Sequence, residues 1–97
     1  MRSVERAFTE WVGSDGFEPP QPKAWPAGDE PPLHHHEFDA RVLVTEGELV
    51  MVYADRSETL VAGDRCDVPA GTMHSEQASS SGASGLLAVR RAEPAPS

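Results

Sequence analysis

From Phe38 onward the chain cannot run far before a turn residue stops it. Gly47, Asp55-Arg56, Ala62-Gly63-Asp64 and Pro69-Ala70-Gly71 interrupt it at short intervals, and each is a combination that favours a reversal. Between these breaks the apolar residues alternate. Phe38, Ala40, Val42 and Val44 fall on one face, and Cys66 and Val68 alternate with Arg65 and Asp67. A period of two is the period of a strand. Strands recurring about every 8–12 residues between Gly and Pro punctuation predict an antiparallel barrel or sandwich.

Several expectations follow along the chain. Glu46-Gly47 is expected to turn the chain between two strands. Glu48 to Ala54 is apolar on both faces, through Leu49, Met51 and Tyr53 and through Val50 and Val52, which suits the middle of a sandwich or a subunit interface. Leu43 implies that the second face of the first strand is partly covered. Ala78 to Gly85, rich in Ser, Gly and Ala, is expected to be a mobile loop, with Leu86 to Arg90 as the last strand and residues 92–97 as a disordered tail.

Upstream, Val4, Ala7, Phe8, Trp11 and Val12 lie at i, i+3, i+4, i+7 and i+8, the stripe of an amphipathic helix over residues 3–13. Ser3 is positioned to cap its start and Gly13 to end it. Residues 17–33 carry Pro19, Pro20, Pro22, Pro26, Pro31 and Pro32, which exclude a helix and a central strand but leave room for an edge strand around Lys23 to Trp25. The 97 residues are expected to form one domain, with the β-barrel over residues 34–91.

The formal net charge of −8 removes the electrostatic footprint of a nucleic-acid binder and opposes binding to an anionic membrane. Cys66, the single cysteine, excludes an intramolecular disulfide and reads as a small buried hydrophobe. No apolar run approaches the ~20 residues of a membrane helix. These features suit a cytoplasmic protein acting on a small molecule.

His34 and His36 stand two apart just before the first strand. On extended backbone their side chains share a face with backbones ~6.6–6.8 Å apart, so both imidazoles can close on one ion at ~2.0–2.1 Å. His35 points the other way. A third ligand must come from elsewhere, and His74 is the candidate.

Gly28, five residues, His34-x-His36 and then Gly47 resemble the first conserved motif of the cupins. Gly63, five residues, Pro69-x-Gly71, two residues and His74 resemble the second. The resemblance spans Gly28 to His74. It implies an all-β fold, a small antiparallel β-barrel of the cupin jelly-roll type, here with one N-terminal α-helix. It also implies a metal held by His34, His36 and His74. The carboxylate that the first motif supplies after three or four further residues is missing, since those positions are Ala40 and Arg41.

Three neutral imidazoles can hold Zn, Fe, Ni, Cu or Mn. Glu76, two residues beyond His74 and so on the same strand face, is the candidate to replace the carboxylate as ligand, partner of a ligand or general base. Phe38, Ala40, Met51, Tyr53 and Met73 are candidates for the pocket wall. A homodimer is expected from the two-sided apolar strands and the Pro-rich arm. Three functions remain open on these residues: a metal-dependent enzyme on a small molecule, a module that binds or senses one, and a metal-free structural barrel.

Overall fold

The computed structural model describes residues 2–91; the tail expected at 92–97 lies outside them. In chain order the elements are helix α1 (Arg2–Ser14) and strands β1 (Gln21–Trp25), β2 (Phe38–Tyr53), β3 (Ser57–Val61), β4 (Arg65–Val68) and β5 (His74–Arg91). All strand pairings are antiparallel, and β2 and β5 form the spine. On its other edge β2 carries β4 along residues 40–43 and β3 along residues 48–52, while β1 lies outside β5. The fold is a small antiparallel β-barrel with one helix on its outer face. No helix among the described residues is long and apolar enough to cross a membrane.

Strand alternation divides the interior into two layers. Val42, Val44, Leu49, Met51, Tyr53, Leu60, Cys66 and Val68 pack inside the rolled sheet with Trp25 from β1. Leu43, on the opposite face of β2, joins Phe8, Val12, Phe17 and Ala88 beneath α1. The second face of β2 is therefore covered by the helix. Phe8 and Val12 are fully buried there, and removing each from water contributes roughly 1.5–3 kcal/mol.

The helix ends differ from the sequence expectation by one turn or less. It already includes Arg2, so Ser3 lies inside the first turn, and it continues past Gly13 to Ser14. Gly16, at φ +80°, ends it. Phe17 N–H donates to Val12 C=O and Gly16 N–H to Gly13 C=O, the paired bonds of a left-handed glycine cap. Phe17 is thereby turned back onto Val12.

Two expected breaks are absorbed into strands. Gly47 does not separate two strands; it kinks the 16-residue β2, whose register with β5 shifts between Val44 and Glu46 and again between Gly47 and Leu49. Bulges of this kind bend a strand and let it change neighbours. Residues 78–85 are likewise part of β5, paired with β2 through Ala78 and Ala83 and with β1 through residues 83–85. Residues 79–82 bulge out without a strand partner, and residues 83–85 lie between two flanking strands. A Cβ at Gly85 would strike the Leu43 carbonyl oxygen, so a strand interior that looks flexible by composition is set by close backbone approach.

Candidate metal centre

His34 and His36 precede β2, in a segment tied to the start of β5 rather than in a regular strand. His34 N–H donates to His74 C=O and His74 N–H to His34 C=O, both at 2.9 Å. Gly71 N–H donates to His36 C=O at 2.9 Å, and Ser75 Oγ donates to Pro31 C=O at 2.6 Å. Four bonds thus lace residues 31–36 to residues 71–75, and two stretches about forty residues apart in sequence present their histidines to one point. The ligand-capable nitrogens of His34, His36 and His74 lie within 4.8 Å of one another.

The ring orientations favour a shared ion. His34 Nδ1 lies 2.9 Å from Pro32 C=O and His74 Nδ1 lies 2.8 Å from Thr72 C=O. A carbonyl can only accept, so each Nδ1 carries the proton and each Nε2 keeps its lone pair for a metal. His36 stacks on Phe38, with ring centroids 4.7 Å apart and planes 12° apart. Burial, then the neighbouring His34 and His74, holds the His36 pKa below its ordinary value. That keeps the imidazole neutral, as a ligand must be. Bonds of ~2.0–2.1 Å place tetrahedral ligand nitrogens about 3.4 Å apart, so closing on an ion asks the rings to draw together from separations of up to 4.8 Å. The donor set fits a divalent transition metal.

The histidines line a cavity of about 350 Å³. Phe38 and Ala40 are on its wall, as the alternation of β2 predicts, with Val42 and Leu87 beside them. Met51 and Tyr53 lie in the packed core instead, and burial pushes the Tyr53 pKa up to about 12. Met73 departs furthest from expectation. It is 42% exposed and does not line the cavity: it lies in the turn before β5, and standing next to His74 in sequence does not put it on the same face.

Positions 40 and 41 separate cleanly. Ala40 faces the cavity with no ligand atom. Arg41 faces the helix, bonded to Asp15 at 2.7 Å, with its guanidinium 3.9 Å from the Trp11 ring centroid. Neither replaces the missing carboxylate. Glu76 does reach the cavity, with Oε1 3.5 Å from His74 Nε2, the ring nitrogen not bonded to the Thr72 carbonyl. His35 is exposed and Cys66 is buried in the core, where desolvation pushes its thiol up to about 12. Lys23, Val42, Val68 and Leu87 also line the wall and were not among the expected pocket residues. Lys23 could have been found from its spacing of two from Trp25 in an extended arm.

No protein-family model matches the chain, and no curated protein matches its sequence. Solved structures do match. A cupin superfamily protein from Desulfitobacterium hafniense superposes with a TM-score of 0.66 at 22% identity, over 76% of this chain and 67% of that one. A cupin-2 domain containing protein from Shewanella frigidimarina gives 0.63 at 21%, over 76% and 70%. The fold is that of the cupins. The DMSP lyase DddQ from Ruegeria pomeroyi shares this cupin fold too, with a TM-score of 0.67 at 20% identity over 81% of this chain and 40% of the lyase. The chain thus spans about two thirds of the first two cupins and two fifths of the lyase.

Proposed function

We propose that His34, His36 and His74 hold one divalent transition-metal ion, from among Zn, Fe, Ni, Cu and Mn, and that its open positions face a small molecule in the cavity. The supporting observation is the convergence of three imidazoles within 4.8 Å, two of them with Nδ1 already committed to a carbonyl. An ion bound there supplies Lewis acidity toward a ligand oxygen or lowers the pKa of a bound water. Glu76 is the general base in this reading, because it is the carboxylate on the cavity wall and stands beside His74. A metal-free structural barrel is the second reading, favoured by the absence of a ligand atom at Ala40; binding without turnover is the alternative if metal is present.

The same reading places the protein in the cytoplasm as a homodimer. Support for self-association comes from the exposed apolar side chains of Leu33, Val61 and Met73, each more than 40% exposed. Metal content of protein purified without a histidine tag tests the central point. About one ion per chain is expected in the wild type, with most of it lost in His36→Ala. Wild-type protein free of metal, or equal loading of the variant, would remove the proposal.

A further inference from the structure

Trp25 ends β1 against the histidine cavity, with 6% of its surface exposed. Its indole Nε1–H is the one buried side-chain polar group among the described residues without a hydrogen-bond partner. An unmatched buried N–H costs about 1–3 kcal/mol, and buried indoles ordinarily find an acceptor. Lys23, two residues earlier and so on the same face of β1, lines the same cavity. It forms no ion pair among the described residues, in a chain where 16 acidic residues face 8 basic ones. Two residues of one strand that line this cavity thus carry an unpartnered N–H and an unpaired cation.

The rest of the wall completes the pattern. Phe38, Ala40, Val42 and Leu87 make an apolar surface. Glu76 is the acidic residue on the wall, and it lies 3.5 Å from Nε2 of His74 without pairing with Lys23. Its charge therefore belongs to the metal side. At about 350 Å³ the cavity is near the lower end of small-molecule sites.

We propose that this cavity binds a small organic carboxylate, with Lys23 and Trp25 Nε1–H holding its oxygens and its apolar body against Phe38, Val42 and Leu87. Contact requires the indole, whose N–H is buried, to turn toward the ligand. Lys23 is exposed and hydrated without a ligand, so the preference rests on bond strength: a carboxylate accepts charge-assisted bonds from both donors, stronger than those a neutral carbonyl accepts. The inference deepens the metal-centred reading and rests on it only for contact between ligand and ion.

The test is NMR titration of ¹⁵N-labelled protein, zinc-loaded and chelator-treated, with benzoate and with benzamide, its neutral counterpart. The indole N–H resonances of Trp25 and Trp11 are followed, the latter as internal control. Benzoate is expected to move the Trp25 indole proton downfield and to bind about tenfold tighter than benzamide. Lys23→Gln, at an exposed position, is expected to remove most of that preference, and Trp25→Phe to weaken benzoate about fivefold. The preference for benzoate should persist, at lower affinity, in chelator-treated protein. A chain that takes up no zinc yet still prefers benzoate would overturn the metal reading and uphold this one. Equal binding of the two probes, an unmoved Trp25 resonance, or no binding of benzoate at about 10 mM would overturn the carboxylate inference, even with zinc bound at the histidines.

Discussion

Replacing Arg41 by methionine tests how β2 divides its faces between the metal cavity and the helix. The side chain is buried between α1 and the sheet, with its guanidinium 3.9 Å from the Trp11 centroid and 4.4 Å from that of Phe17. Stacking of this kind contributes about 0.5–2 kcal/mol, and a desolvated site lies toward the upper part of that range. The ion pairs with Asp15 at 2.7 Å and Asp67 at 3.4 Å add less. Both carboxylates are nearly half exposed and rehydrate when the partner leaves, so about 0.2–0.5 kcal/mol each is the appropriate scale. Methionine keeps the apolar stem in place. The expected loss is about 2 kcal/mol, which for a domain near 100 residues lowers Tm by about 8–16 °C. Thermal unfolding by circular dichroism measures it, with metal content determined on the same samples. Because the side chain points away from the cavity, metal loading should be unchanged. A variant that keeps its Tm but sheds metal would show that the two faces of β2 are assigned the wrong way round.

Two further outcomes follow from local geometry. Gly47→Ala should destabilise by about 2–4 kcal/mol in urea unfolding, because φ is +77° and a Cβ would strike the Gly82 carbonyl oxygen. Gly63→Ala, at φ +96° with open space around it, should cost only about 1 kcal/mol, so equal losses would refute the close approach of β2 and β5. Cys66, with its pKa pushed from an ordinary 9.0 to about 12 by burial, should hold about a thousandfold less thiolate at pH 8 than a free cysteine. It should then resist an aromatic disulfide reagent until the protein unfolds, and rapid labelling of the native state would contradict its place in the core.

What could be read in advance was whatever the chain encodes by period and spacing. The alternation Phe38, Ala40, Val42, Val44 fixed the inward face of β2, and the stripe Val4, Phe8, Trp11, Val12 fixed the buried side of α1. The three histidines were legible because each sits at a fixed step from a turn glycine or proline. Features set by neighbouring strands were not legible. Residues 78–85 have the composition of a loop; 79–82 do bulge out between Ala78 and Ala83 without a strand partner, but 83–85 pair with both β1 and β2, and a Cβ at Gly85 would strike the Leu43 carbonyl oxygen, a packing demand that composition does not reveal. Met73 failed for a different reason. It was expected at the site as the neighbour of His74, but adjacency in sequence does not bring two side chains to one face. The role of Arg41 was hidden because its partners, Trp11, Asp15 and Phe17, all come from the helix and its cap.

X-ray absorption on the metal-loaded protein reads the ligand set itself. It should show three imidazole nitrogens at about 2.0–2.1 Å with the remaining positions filled by oxygen, and His74→Ala should reduce the imidazole count by one. Fewer than three imidazoles in the wild type, or a sulfur neighbour contributed by Cys66, would mean that the ion is not held where the two laced segments bring the histidines together.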